Sequence, residues 1–383
     1  MNNLKGKIGL MAASLPMMSF LAPSSILARV AESYPDASLQ LVQMLTTVPN
    51  VISVIVSILI GFLTPYVYKR YLILISGLIY PVIGTLIFFF HPNVMAMVLL
   101  TALMGIGTGI RITCIPALIC DCYNEKESGQ LIGMQAGFIS GGAMLFIWIG
   151  GQLARNNWEY CYLGYLFIFI LLIVELFCLP KGKLDRKKES QEQKAAIPKS
   201  ILFFTVTTFA FCIFIYAFNS NVSLLVDMRS MGGTVETSYA SMCYNLAGMA
   251  AGCITGFVIT KVKEHIFSCG IFLGLMGSLL CFIAPNLGIL CIGGILCGAA
   301  FAVVVPAGNY FASINSADYN RTFCISLFNA GSALGQFFSP LFFGATMGSA
   351  PIDLRFAAAA SGLFVLLIIM IVGNFKIRKA SKL

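Results

Sequence analysis

What most constrains this chain is the steady recurrence of apolar runs close to membrane-span length, separated by loops of a few residues. Twelve such runs can be read, at about 8–28, 40–62, 71–90, 94–118, 131–153, 160–180, 200–222, 236–260, 266–284, 287–311, 323–346 and 354–375. Each is near the roughly 20 residues that a helix needs to cross hydrocarbon. Backbone in lipid must satisfy its own polar groups, which selects helices or closed barrels, and runs of this length select helices. Composition agrees, because only 10% of the 383 residues are charged and 58% are hydrophobic, against about 25% charged in a soluble domain. The fold class is therefore an all-α integral membrane protein with no room for a sizeable soluble domain. The first run follows Lys5 and Lys7 as a signal peptide would, but it exceeds the about 7–15 apolar residues of a signal core and contains Pro16 and Pro23. It reads as a kinked first span.

Charge orients the array. The chain carries 24 Lys+Arg against 15 Asp+Glu, a formal net charge of +9. A cytoplasmic N-terminus puts 19 of the 24 basic residues inside, places Arg29, Arg155, Arg229 and Arg355 outside, and leaves Arg111 alone within a span. By the positive-inside rule this supports an even span count, both termini in the cytoplasm and a multi-pass protein of the inner (cytoplasmic) membrane. The one long polar stretch, Lys181 to Ser200, divides the chain into residues 1–180, a basic cytoplasmic linker at 181–199, and residues 200–383. That linker can touch anionic membrane lipid, although setting topology is its simpler role.

The two halves resemble each other. Asn50 precedes Gly61-Phe62-Leu63 as Asn245 precedes Gly256-Phe257-Val258, at an offset of 195 residues. Gln135-Ala136-Gly137 with Gly141 matches Asn329-Ala330-Gly331 with Gly335 at 194, and Pro116-Ala117 matches Pro306-Ala307 at 190. A parallel duplication of six spans is characteristic of one large class of secondary transporter.

With these features the chain resembles the major facilitator superfamily over essentially its whole length. Members carry between spans two and three a loop Gly-x-x-x-Asp-[Arg/Lys]-x-Gly-[Arg/Lys]-[Arg/Lys]. Here Gly61, Lys69 and Arg70 keep the first glycine and the final basic pair, but Pro65 stands at the Asp position and Tyr68 at the second glycine. The family's salt-bridge latch thus lacks its carboxylate. Gly105, Gly107, Gly109 and Pro116 resemble the fourth-span pattern, and Gly137-x-x-x-Gly141-Gly142 resembles the glycine-rich motif of the drug-efflux branches. The resemblance implies two pseudo-symmetric six-helix bundles with spans one, four, seven and ten around a central cavity.

On that expectation Arg111, in the fourth span, faces the substrate path, where its fork of donors suits a carboxylate, phosphate or sulfonate. The alternative is a pair with Glu175, the one acid deep in a span, and the two are not exclusive. Glu175 is also a proton-coupling candidate, since burial raises a carboxylate's pKa. The amides Asn50, Asn245, Gln135, Asn329, Asn219 and Asn309 complete the expected substrate-binding set. The glycine clusters read first as helix-packing faces. No nucleotide-binding loop, catalytic triad or metal pattern occurs, and Cys120 and Cys122 lack the further ligands that zinc needs. The chain is therefore expected to be no enzyme, to need no cofactor or metal, to bind no nucleic acid, and to work as a monomer on a small-molecule substrate. The expected function is secondary active transport by alternating access, with a small organic anion or amphiphilic acid favoured. Efflux of lipophilic drugs is the alternative, and a non-transporting sensor or scaffold is the rival from another class.

Overall fold

The computed structural model describes residues 3–60, 63–64, 66–182, 198–262, 265–314, 321–348 and 350–380. Among them all regular structure is helical. The chain divides into two compact units, one made of Met1–Glu192 and Gly232–Ser238, the other of Gln193–Met231 and Tyr239–Leu383.

In the first half run α1 (Asn3–Ser14), a 3₁₀ segment (Leu15–Ser25), α2 (Leu27–Ser33), α3 (Leu39–Ile60), α4 (Lys69–Phe89), α5 (Val94–Cys122), α6 (Glu125–Leu153), a second 3₁₀ segment (Trp158–Phe167) and α7 (Ile168–Cys178). The second half holds α8 (Lys199–Ile215), α9 (Ala217–Met228), α10 (Thr234–Val262), α11 (His265–Ile283), α12 (Leu287–Ile314), α13 (Arg321–Met347) and α14 (Ile352–Ala380). Ten stretches among the described residues are long and apolar enough to cross a membrane. Helices α10 and α13 lie where the eighth and eleventh runs were read.

Local chemistry explains the boundaries. The side chains of Asn93 and Asn124 cap α5 and α6 by accepting the Ala96 and Glu127 amides at 2.8 and 2.9 Å, and Asn286 does the same for Ile289 at the start of α12. Such caps satisfy amides that have no partner within the helix. The kink expected in the first span is its long 3₁₀ segment, with Met18 outside helical geometry. Pro16 and Pro23 have no N–H to give to the preceding turn, and side chains from other helices reach carbonyls in the same stretch. Arg111 donates to Ala13 O at 2.6 Å and Tyr165 donates to Ser19 O at 3.1 Å.

Both units have aromatic interiors. Tyr162 and Tyr165 stack with centroids 6.3 Å apart beneath Phe146 in the first, and Phe204, Phe267 and Phe311 stack in the second. Glycines set the closest helix approaches. A Cβ at Gly105 or Gly109 would strike the Pro49 or Ser53 carbonyl of α3, one at Gly142 the backbone of Leu15, and one at Gly298 the Tyr244 carbonyl. Gly137 and Gly141 differ, with nothing within 4 Å of a built Cβ. The expected packing role is thus corrected for these two, since packing of α6 falls on Gly142, the next residue round the helix.

Candidate functional site

Among the described residues four charged side chains are fully buried: Lys69, Arg111, Glu175 and Arg355. Burying an isolated charge is so costly that each must be accounted for by a partner.

Arg111 and Glu175 account for each other. Nη1 and Nη2 of Arg111 each bond one carboxylate oxygen of Glu175 at 2.9 Å, the parallel geometry that strengthens both contacts. The remaining donors reach Ser76 Oγ at 2.9 Å, Ile73 O at 3.3 Å and Ala13 O at 2.6 Å. All five guanidinium N–H groups are therefore used, and the Tyr80 ring lies 5.9 Å from the guanidinium carbon. The knot joins α1, α4, α5 and α7. Of the two readings left open for Arg111, which do not exclude each other, the ion pair is present in this structure, and with it no guanidinium donor is left over for a solute. The same pair holds both oxygens of Glu175 in charged contacts, which works against its candidacy as the proton-coupling group.

Lys69, from the loop motif between spans two and three, bonds Asp121 Oδ2 at the end of α5 at 2.9 Å. The latch missing its usual Asp is rebuilt from the other side, with the motif's lysine reaching an acid on the fourth span. Arg70 donates to Leu176 O at 2.6 Å, while Gly61 lies outside the described residues. Lys7 pairs with Glu127 at 3.3 Å at the same end of this unit.

Arg355, counted with the outer charges in the sequence, is the fourth residue of α14 and has no exposed surface. Its Nη1 donates to Asn221 Oδ1 of α9 at 3.0 Å, and Asn221 in turn donates to Ala217 O at 2.9 Å. Its Nε and Nη2 have no partner. Asp353, two residues earlier, pairs instead with Arg229 at 3.3 Å.

The amides separate into different situations. Asn50 on α3 and Asn245 on α10 are both buried to nearly the same degree, 9% and 8% exposed, as expected of a repeat-related pair. Gln135 and Asn329 are not alike: Gln135 is buried on α6 with a weak 3.8 Å contact to Met17 Sδ, and Asn329 is exposed on α13. Asn219 on α9 and Asn309 on α12 each keep a buried Oδ1 without a partner.

Comparison with known proteins follows from this architecture. The model of the Major Facilitator Superfamily matches residues 8–264 and again 204–382. An uncharacterized MFS-type transporter from Schizosaccharomyces pombe (strain 972 / ATCC 24843) is 28% identical over 173 residues, which is 45% of this chain and only 38% of that curated relative's length. The fold is shared with the crystal structure of a bacterial homolog of the human lysosomal transporter Spinster, inward-facing and unoccupied (TM-score 0.72, 16% identity, 97% of this chain and 95% of that one). It is shared also with the nucleoside transporter NupG (0.76, 12%, 95% and 99%) and the human organic anion transporter MFSD10 (0.68, 13%, 97% and 100%).

Proposed function

The chain belongs to the major facilitator superfamily, and on that premise we propose that it is a secondary active transporter that moves a small organic anion or amphiphilic acid by alternating access. With no nucleotide-binding loop in the sequence, the energy comes from a gradient. The observation that carries the anion preference is the imbalance of buried charge. Three cations, Lys69, Arg111 and Arg355, lie buried against one buried carboxylate, Glu175, with Asp121 at the edge. After pairing, one positive charge remains over, and a cation held out of water attracts a mobile anion.

Arg111 and Glu175 serve in this reading as a tie that makes the first unit rigid, and Asn50, Gln135, Asn245, Asn219 and Asn309 supply hydrogen bonds that orient the solute. Efflux of lipophilic drugs is the second reading, favoured by the open space beside Gly137 and Gly141 in the segment that resembles the efflux motif. The positive-inside count supports an inner-membrane protein with both termini cytoplasmic.

The test is uptake and release of radiolabelled benzoate, short-chain carboxylates and a lipophilic cation in proteoliposomes holding the purified chain, with and without an imposed proton gradient. Saturable, gradient-driven movement of a carboxylate is expected. Movement of the lipophilic cation alone would replace the anion reading with the efflux one, and movement of nothing would favour the sensor.

A further inference from the structure

We propose that Arg355 and Asn221 form a binding site for the carboxylate group of a small organic acid, in the half of the second unit remote from the linker. The proposal deepens the anion-transport reading and rests on it for the identity of the solute, but not for the existence of the site.

The site is built by two helices crossing at small residues. Ala217 of α9 and Ala359 of α14 are both buried and share a cluster with Phe343. One turn along α9 from Ala217 is Asn221, and one turn back along α14 from Ala359 is Arg355. The two helices therefore bring amide and guanidinium to the same level, where the 3.0 Å bond forms. Asn221 is oriented by its own bond to Ala217 O, which turns Oδ1 toward the arginine.

What is left over has a definite shape. Nε and Nη2 make up one edge of the planar guanidinium, and both lack a partner while the residue has no exposed surface. An edge of this kind takes the two oxygens of a carboxylate in parallel bonds, a match that a spherical halide cannot make. The Arg111–Glu175 pair shows such parallel bonding within this chain, there through Nη1 and Nη2; in Arg355 it is the Nε–Nη2 edge that lacks an acid.

Among the described residues no nearby acid supplies it. Residues two apart on a helix point to opposite sides, so Asp353 faces away and is held by Arg229, whose other bonds go to Phe282 O and Ala284 O. Asp227, the one acid on α9, is exposed. A mobile acid is the remaining source of charge, and the two candidates with the right oxyanion chemistry are a free carboxylate and the phosphate of an anionic lipid headgroup. Full burial of Arg355 favours the small free acid.

The experiment follows thermal unfolding of the full chain in phosphatidylcholine nanodiscs, titrated with sodium acetate or sodium benzoate against sodium chloride at constant ionic strength. Wild type is expected to show a saturable rise in midpoint of about 2 °C at tenfold excess over the dissociation constant, with a clearly smaller response to chloride. Arg355→Gln should lose the response, while Arg155→Gln, an exposed control, should keep it. Asn221→Asp supplies the missing carboxylate from within; its midpoint without acetate should lie at or above that of acetate-saturated wild type, and acetate should add nothing.

Equal responses to acetate and chloride, or an acetate response that survives in both Arg355→Gln and Asn221→Asp, would overturn the assignment. So would a stabilisation that appears only when phosphatidylglycerol replaces phosphatidylcholine, since the site would then belong to lipid. Carboxylate transport without the stabilisation would sink this site and leave the transport reading standing; stabilisation without transport would do the reverse.

Discussion

The two units treat a buried arginine in opposite ways. In the first, Arg111 is enclosed by five acceptor atoms drawn from three other helices, two of them the oxygens of one carboxylate. In the second, Arg355 is just as deeply buried and holds a single neutral amide. The same side chain is a structural tie in one place and an unsaturated receptor in the other. The difference teaches that burial of a charge says nothing about its task until its donors have been counted against acceptors. Nor does the internal repeat account for either residue, since the position matching Arg111 at an offset of 190 is Phe301, and the one matching Arg355 at 194 is Cys161. Each unit acquired its charge separately.

The sharpest way to break this contrast is to remove one member of the tie. Arg111→Met or Glu175→Met alone should cost about 3–5 kcal/mol, because each strands an uncompensated buried charge, and little monodisperse protein should elute from size exclusion. The double Met variant should recover most of it. Singles that behave as wild type would show that the pair is not holding the four helices.

A smaller blow to the same knot comes through its neighbour. Gly142→Val pushes Leu15 and with it the first span that presents Ala13 O to Arg111, and overpacking of this kind costs about 1–3 kcal/mol. Gly137→Val, five residues earlier and facing open space, should leave the unfolding midpoint unchanged. If the two valines are equivalent, the close approach of α6 to the first span is not a constraint.

Opposite in sign is Arg355→Met. Removing a buried cation with two unsatisfied donors should raise stability by about 1 kcal/mol in buffer free of carboxylates, where Arg111→Met lowers it. A fall of similar size for both would erase the distinction between the two arginines.

The least of the expected effects lies at a loop of the first unit. Burial, and secondarily the Glu159 carboxylate, push the Tyr34 hydroxyl above its usual range, and the neutral hydroxyl donates to the His91 carbonyl. A raised folded-state pKa means that this contribution is complete below about pH 10 and is lost as pH rises beyond it. The alkaline limb of a midpoint-versus-pH curve should therefore be shallower in Tyr34→Phe than in wild type.

Much of this architecture was legible in the order of residues. Apolar runs gave the spans, Pro16 and Pro23 gave the kink, and Arg111 and Glu175 stood out as charges inside hydrocarbon. The burial of Arg355 escaped because it is the second residue of the last run, where a charge reads as the solvated end of a span. Helix ends inferred from sequence carry an uncertainty of about 2–4 residues, which is one turn, and one turn at the start of α14 is the distance between solvent and core. The amides were harder still. Asn50 and Asn245 keep equivalent burial after duplication while Gln135 and Asn329 do not, and nothing in their spacing distinguishes the two pairs.

The contacts on this kinked span have a consequence for how the protein is made. The Ala13 and Ser19 carbonyls accept from Arg111 and Tyr165, residues that leave the ribosome about 100 and 150 positions later. The span therefore gains these side-chain ties only when the fourth and sixth spans arrive, and a nascent chain stopped after Phe89 should be more open to thiol labelling at positions 13–19 than the full chain when cysteines are placed there.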